Sequence, residues 1–309
     1  MKFAFVFPGQ GSQTVGMLDA WADNDAVQRV VSQANEALGE DLGGLIAKGP
    51  AEDLNLTTNT QPAMLTASLA MLAAWRAAGG PEASVMAGHS LGEYAALTAA
   101  DSLALADAVR LVRVRADAMQ AAVPVGTGAM AAILGLEDDA VIAACQQAAR
   151  AEIVEAVNFN APAQVVIAGH KAAVERAMEN ARAAGAKRAV LLPVSAPFHS
   201  SLLKPAAAVL AQALADVQIG VPKIPVIHNV DVQMHQDRAA IGQALVDQAW
   251  HPVRWVQTIE AMAAQGVTHV VECGPGKVLS GLVKRISPQM TGVSITDPTS
   301  MQAALEVLK

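Results

Sequence analysis

A serine flanked by glycines, in Gly88-His89-Ser90-Leu91-Gly92, is the residue of this chain best placed to do chemistry. The G-x-S-x-G pattern suits a nucleophile elbow, where a strand turns sharply into a helix and lifts the serine hydroxyl clear of the sheet. Neighbouring side chains would collide in so tight a turn, which is why glycine stands on either side. The first amides of the following helix would then face the reacting oxygen and stabilise its developing charge. The chemistry implied is acyl transfer through Ser90. The plain alternative is a structural turn.

A serine nucleophile needs a base, and the sequence offers seven histidines. His89 adjoins Ser90, but its backbone position in the elbow should point it away from the hydroxyl. His170 opens a helical run, and His269 lies within an apolar strand, where a core histidine is expected. His235 falls in a polar loop. His199 sits just past a strand in Ser195-Ala196-Pro197-Phe198-His199-Ser200, a turn suited to a base reaching into a cleft. His228 and His251 are its rivals.

One further residue is out of place. In the helical run 105–122, Ala108, Leu111, Val112 and Met119 form an apolar stripe at spacings of 3, 4 and 7. Arg115 lies four residues from both Leu111 and Met119 and shares that stripe, whereas Arg110, Arg113 and Asp117 fall on the opposite face. An inward guanidinium needs an anionic partner. An internal carboxylate would make a structural ion pair; a substrate carboxylate would be held in a bidentate clamp. Periodicity does not choose between them.

The elements that must position these residues follow from the apolar patterning. A first strand at residues 3–7 enters the turn Pro8-Gly9-Gln10-Gly11-Ser12-Gln13. No G-x-G-x-x-G or G-K-[ST] is present, so this is a loop whose backbone approaches a reacting group, or a simple turn. Pro62 is expected to open a long helix to about residue 78, with Thr60 as its N-cap. A short strand at 84–87 and a helix at 91–100 frame the elbow. Residues 125–197 then read strand, helix, strand, strand, helix, strand, the βαββαβ order of a ferredoxin-like unit. This makes 125–197 a small inserted domain and 1–124 with 198–309 the larger one. Asn158-Phe159-Asn160 falls in the central hairpin of the insert, where it could face the cleft. Further strands are expected at 224–227 and 268–272, with a helix at 277–286. The fold class is α/β.

Composition narrows the function. The 309 residues are 53% hydrophobic and 3% aromatic, enough for a sizeable core packed through small side chains. No run is long and apolar enough for a transmembrane helix, and the apolar start is too short for a signal peptide. Cys145 and Cys273 match no metal or redox spacing. A cytoplasmic protein is expected, and a net charge of −7 argues against a general nucleic-acid binder.

Taken together, the motifs resemble the malonyl-CoA:acyl-carrier-protein transacylases of bacterial fatty-acid synthesis. The matching stretches are FPGQGSQ at 7–13, TQPA at 60–63, GHSLGEYAAL at 88–97, Arg115 with Met119-Gln120, GTGAM at 126–130, NFN at 158–160, PFHS at 197–200 and ECGPGKVLSGL at 272–282. Ala116 departs from the glycine usual after the clamp arginine. The resemblance implies an α/β-hydrolase-like core with a ferredoxin-like insert. It makes Ser90 the nucleophile, His199 its general acid/base, and the Gln10 and Leu91 amides the oxyanion donors. It also implies that the backbone carbonyl of Gln248 orients His199, that Arg115 clamps the malonyl carboxylate, and that Asn160 and Phe198 line the substrate. Phe198 would disfavour an α-methyl group.

A ping-pong transfer is expected, from malonyl-CoA to Ser90 and then to the phosphopantetheine thiol of acyl carrier protein. It calls for no metal and no bound cofactor, and a monomer with no membrane partner is expected. Two basic pairs, Lys187-Arg188 and Lys284-Arg285, could dock the acidic carrier or the phosphates of CoA. The insert's exit at His199 ties the first to the cleft, and the Gly274–Gly276 turn could bring the second near it. Lys187-Arg188 is the leading candidate. A thioesterase on the same elbow, and a non-catalytic binding module, are the competing functions.

Overall fold

The computed structural model describes residues 1–194 and 196–308, so Ser195 in the exit turn lies outside the described residues. A parallel sheet holds β1 (Phe3–Phe7) and β2 (Val85–Gly88). The small antiparallel sheet follows in the chain as β3 (Gly128–Leu134), β4 (Val154–Ala161), β5 (Gln164–His170) and β6 (Arg188–Leu191). The chain then returns to the first sheet with β7 (Val226–Ile227), β8 (His269–Cys273) and β9 (Thr291–Ile295). The parallel order is β7-β2-β1-β8-β9, and the antiparallel order is β4-β5-β3-β6.

Helices α1 (Asp25–Leu38), α2 (Leu42–Lys48), α3 (Ala51–Leu54) and α4 (Thr57–Ala77) separate β1 from β2. After the elbow come α5 (Gly92–Ala99) and α6 (Leu105–Ala121). The small sheet carries α7 (Asp138–Ala149) and α8 (Lys171–Ala183). The remaining helices are α9 (Lys204–Ala215), α10 (Arg238–Gln248), α11 (Trp255–Ala264), α12 (Val278–Ile286) and α13 (Pro298–Leu308).

Strand periodicity decides which helices cover which face. Phe3, Phe5 and Phe7 of β1 point into one core with Met86, Val271, Cys273 and the apolar faces of α4, α5 and α6. Ala4 and Val6 point the other way, into a core with Val85, Ala87, Val270, Trp255 and Ile259 of α11, and Leu279 and Val283 of α12. The parallel sheet is thus buried on both faces at β1, β2 and β7, and nearly so at β8, which is why those strands are mostly apolar. Parallel strands also end on one edge. The 8–13 turn, the elbow, His228-Asn229 and Gly274-Pro275-Gly276 therefore meet there, beyond the carboxyl ends of the strands.

The small sheet packs α7 and α8 on one face, through Ile133, Val165, Ile167, Val141, Cys145 and Val174. Its other face, through Met130, Val166 and Ala168, joins the main core. Two backbone bonds fasten β4 to the large unit, Phe159 N to Val253 O at 3.0 Å and Val253 N to Val157 O at 2.8 Å. Where the chain enters and leaves this unit the segments touch: a Cβ on Gly128 would stand 2.4 Å from the Pro197 ring.

The expected opening of the long helix is corrected. α4 begins at Thr57, five residues before Pro62, and Thr60 lies inside it. Tertiary hydrogen bonds hold this first turn despite the missing proline N–H. Thr57 Oγ1 donates to Gln10 Oε1 at 2.7 Å, and Thr60 Oγ1 donates to Leu54 O at 2.6 Å.

Candidate active site

Two contacts explain why the elbow needs its glycines. A Cβ on Gly88 would lie 1.9 Å from the Gly92 backbone, and one on Gly92 would lie 2.1 Å from Phe7 O. The turn brings α5 back across the end of β1 with no room for a methyl group. Ser90 itself has φ 53°, a left-handed conformation that is strained for a residue with a side chain. Asn229 pins the turn: Ser90 N donates to its Oδ1 at 2.7 Å, and its Nδ2 donates to Gly88 O at 2.7 Å. The serine amide is thereby occupied. The amides of Leu91 and Gln10 donate to no group among the described residues.

Of the histidines, His199 is the one that meets the hydroxyl. Its Nε2 lies 2.7 Å from Ser90 Oγ, and its Nδ1 lies 2.8 Å from Gln248 O. A carbonyl can only accept, so Nδ1 carries the hydrogen and Nε2 presents its lone pair to the hydroxyl, the tautomer of a general base. The ring is 3% exposed. Burial, with the nearby Arg115 charge adding to it, pushes its pKa down from 6.5 to about 3, against an upward pull from the Gln248 carbonyl.

The rival histidines are engaged elsewhere. His228 Nδ1 pairs with Glu93 Oε1 at 2.7 Å, and His251 Nδ1 donates to Asp247 O at 2.9 Å. His89 turns away from Ser90, with Nε2 2.8 Å from Asn160 Oδ1, and burial lowers its pKa. Asn160 is thus brought to the elbow from the small unit. Phe198 is buried beside the base.

Arg115 is 2% exposed and faces the site. Its NH2 donates to Ser90 Oγ at 3.1 Å and to Gln248 Oε1 at 2.8 Å, while NH1 donates to Gln61 Oε1 at 2.7 Å. The internal carboxylate that periodicity left open does not touch the guanidinium; its hydrogen-bond partners are all uncharged.

The basic pairs lie further out. Arg188 pairs with Leu134 at the end of β3 opposite Gly128, so Lys187-Arg188 stands at the end of the small sheet remote from the Pro197 junction. Six residues of strand separate those ends, about 20 Å. The 162–164 hairpin next to Asn160 lies at that same end, because Leu134 also pairs with Gln164, so the pair stands two strands across from the hairpin. Lys284 and Arg285 end α12, and Arg285 donates to Gln164 Oε1 and Pro162 O, a few residues from Asn160. All four side chains belong to exposed residues.

Sequence reasoning missed Gln61, Glu93 and Asn229, which hold the arginine and the elbow. A signal existed for Glu93: it is the only charge in α5, GEYAALTA, and is 0% exposed. Asn229 and Gln61 gave no comparable sign.

A serine and a neutral imidazole at the carboxyl edge of a parallel sheet, with a buried cation beside them, define an acyl-transfer site. The family described as acyl transferase domain matches residues 4–296. The malonyl CoA-acyl carrier protein transacylase of Escherichia coli (strain K12) is 55% identical over 307 residues, covering 99% of both chains. Among solved structures, the acyl-carrier-protein S-malonyltransferase of Burkholderia pseudomallei 1710b superposes with a TM-score of 0.98. It is 61% identical, over 99% of this chain and 100% of that one. A malonyl-transacylase in complex with a type II PKS acyl-carrier protein gives a TM-score of 0.98 at 49% identity, over 99% and 100% of the chains. The chain belongs to the malonyl CoA-acyl carrier protein transacylases.

Proposed function

We propose that this enzyme moves the malonyl group from malonyl-CoA to the phosphopantetheine thiol of acyl carrier protein through a malonyl-Ser90 intermediate, for fatty-acid synthesis. Its transacylase relatives act on these two substrates by name. The observation that carries the mechanism is the meeting at Ser90 Oγ of a neutral base at 2.7 Å and a buried arginine at 3.1 Å.

Arg115 receives the malonyl carboxylate and sets the thioester over Ser90. His199 Nε2 takes the hydroxyl proton as Oγ attacks the carbonyl carbon, and the Gln10 and Leu91 amides hold the oxyanion. The tetrahedral intermediate collapses, the C–S bond breaks, and the proton on His199 passes to the departing CoA sulfur. The carrier thiol then attacks malonyl-Ser90 by the same steps in reverse, with His199 taking the thiol proton and returning it to Oγ. Each half-reaction balances without a metal or redox group. Asn160 and Phe198 line the acyl pocket. Transfer must outcompete hydrolysis, which requires water to be poorly placed around the acyl-serine.

The same reading takes 1–124 with 198–309 as an α/β-hydrolase-like catalytic unit and 125–197 as a ferredoxin-like insert. The parallel order around the elbow strand and the β4-β5-β3-β6 order of the small sheet support it. The deciding experiment is intact mass after malonyl-CoA and again after phosphopantetheinylated carrier. A malonyl adduct removed only by the carrier is expected. Malonate release independent of carrier would make the protein a thioesterase, and no adduct at all would make it a binding module.

A further inference from the structure

Arg115 is charged and buried, yet its three hydrogen-bond partners are neutral oxygens, and its Nε–H has no acceptor among the described residues. The carboxylate of this network stands one side chain behind. Glu93 Oε2 accepts from Gln248 Nε2 at 2.9 Å, and Gln248 Oε1 accepts from Arg115. Gln248 Nε2 also donates to Ser90 O at 2.8 Å. Both of its partners can only accept, so the amide nitrogen must face them and the amide oxygen must face the guanidinium. Glu93 is fixed in turn by His228 Nδ1 at 2.7 Å and Asn229 N at 2.9 Å. His228 Nε2 has no partner among the described residues. Glu93 and Gln248 are both 0% exposed.

We infer that Gln248 and Glu93 are positioning residues that balance the Arg115 charge at one remove and so keep its guanidinium open to the acyl carboxylate. This rests on the reading of Arg115 as the clamp. A carboxylate in direct contact would neutralise the arginine and occupy the place of the substrate. With no carboxylate near, the buried cation would stand unbalanced. An amide between the two avoids both outcomes. Burial disfavours the charged guanidinium, and Tyr94, whose ring centroid lies 5.5 Å from it, and then Glu93 oppose that effect. Gln248 thereby has two separable duties: its backbone carbonyl serves His199, and its side chain serves Arg115.

The test moves the carboxylate. Gln248→Glu keeps the backbone carbonyl and puts a charge against Arg115. The ratio of kcat/KM for malonyl-CoA over acetyl-CoA acylation should fall about tenfold or more, because a charge-assisted pair is lost to the substrate. An unchanged ratio overturns the inference, as does an equal loss for both substrates. Should that variant fail to fold, Glu93→Gln provides an independent reading. It retains the hydrogen bonds if His228 shifts its proton to Nε2, but it removes the charge. Malonylation of Ser90 should then raise the thermal midpoint more in Glu93→Gln than in the wild type, since the acyl carboxylate supplies the missing counter-charge, while acetylation should not. Equal rises in the two proteins also overturn it. Arg115→Ala separates the layers. If it leaves the malonyl preference intact, the clamp reading itself fails. If it abolishes the preference while Gln248→Glu does not, only the relay fails.

Discussion

His199 Nδ1 lies 2.8 Å from the carbonyl oxygen of Gln248, so the imidazole at Ser90 leans on a peptide group and not on a carboxylate. A carboxylate would raise the basicity of the ring; a carbonyl does so less. With burial and Arg115 against it, the ring is held near a pKa of about 3 and stays neutral, ready to take the serine proton.

That depression predicts an acid sensitivity of folding. In the unfolded chain the imidazole titrates at its ordinary 6.5, and in the folded protein at about 3. Between those values only the unfolded chain takes up this proton. The contribution of His199 to stability is whole above pH 6.5 and is lost as the pH falls toward 3. The slope from one such group reaches about 1.4 kcal/mol per pH unit. Denaturant unfolding of wild type and His199→Ala, compared at several pH values from 7 to 4.5, should show wild type losing stability faster by up to about that slope. Parallel curves would mean that the folded ring is open to solvent. The same variant should slow both half-reactions by about 10²–10⁴-fold, and Ser90→Ala should give no adduct at all.

Arg115→Ala tests acyl selection. The guanidinium touches no carboxylate directly, so the variant removes substrate recognition without breaking a direct ion pair. Malonyl acylation is expected to fall by about 1.5–3 kcal/mol in transition-state terms, or more, and acetyl acylation far less. Stopped-flow acylation with both CoA esters measures this. Equal losses would return Arg115 to a structural role.

The elbow glycines should be intolerant of a methyl group for reasons of contact alone. Gly92→Ala would put Cβ 2.1 Å from Phe7 O, and neither the strand nor α5 can yield cheaply. A loss of about 3 kcal/mol or more is expected. Gly281→Ala in α12 is the control: its Cβ would meet nothing within 4 Å, and it should stabilise by about 0.5–1 kcal/mol. If the denaturation midpoint of Gly92→Ala matched the wild type, the close approach of α5 to β1 would be wrong.

Much of this site was legible because its signals are local. Phe3–Phe7 alternates large and small residues for two cores, the elbow glycines mark a steric demand, and Arg115 breaks an apolar stripe. The order of strands and helices in the insert was legible for the same reason. What was hidden depends on contacts across the chain. The first turn of α4 forms ahead of Pro62 because Thr57 and Thr60 find partners outside the helix, which no local propensity reports. β9 is a five-residue strand with one buried residue, Ile295, and takes its place by pairing with β8. Glu93 could have been found by the argument that found Arg115, a lone charge on an apolar helix. Asn229 could not, since its role exists only once β7 ends beside the elbow.

The carrier surface is the last expectation to test, and both basic pairs stand toward the hairpin end of the small sheet. The enzyme carries −7 overall, so an acidic carrier is repelled at a distance and needs a local cationic patch at the cleft. Lys284 ends α12, beside Arg285, which bridges to the 162–164 hairpin near Asn160; Lys187-Arg188 lies at the same end of the small sheet, two strands across from that hairpin. A helix C-terminus also favours cations through its dipole, so Lys284 could serve stability alone. Lys284→Glu is therefore paired with the double change Lys187→Glu and Arg188→Glu, and Arg285 is left in place to spare its bridge. Lys284→Glu should raise the KM for carrier several-fold at low salt, about 1 kcal/mol, with the effect fading as the Debye length falls below about 8 Å. The double change at 187 and 188 should raise it too, since that pair stands at the same end of the small sheet as the hairpin. Initial rates at fixed malonyl-CoA, across a salt series, give both values. If acylation by malonyl-CoA weakens and the carrier KM stays put, Lys284 faces the phosphates of CoA and the carrier docks elsewhere.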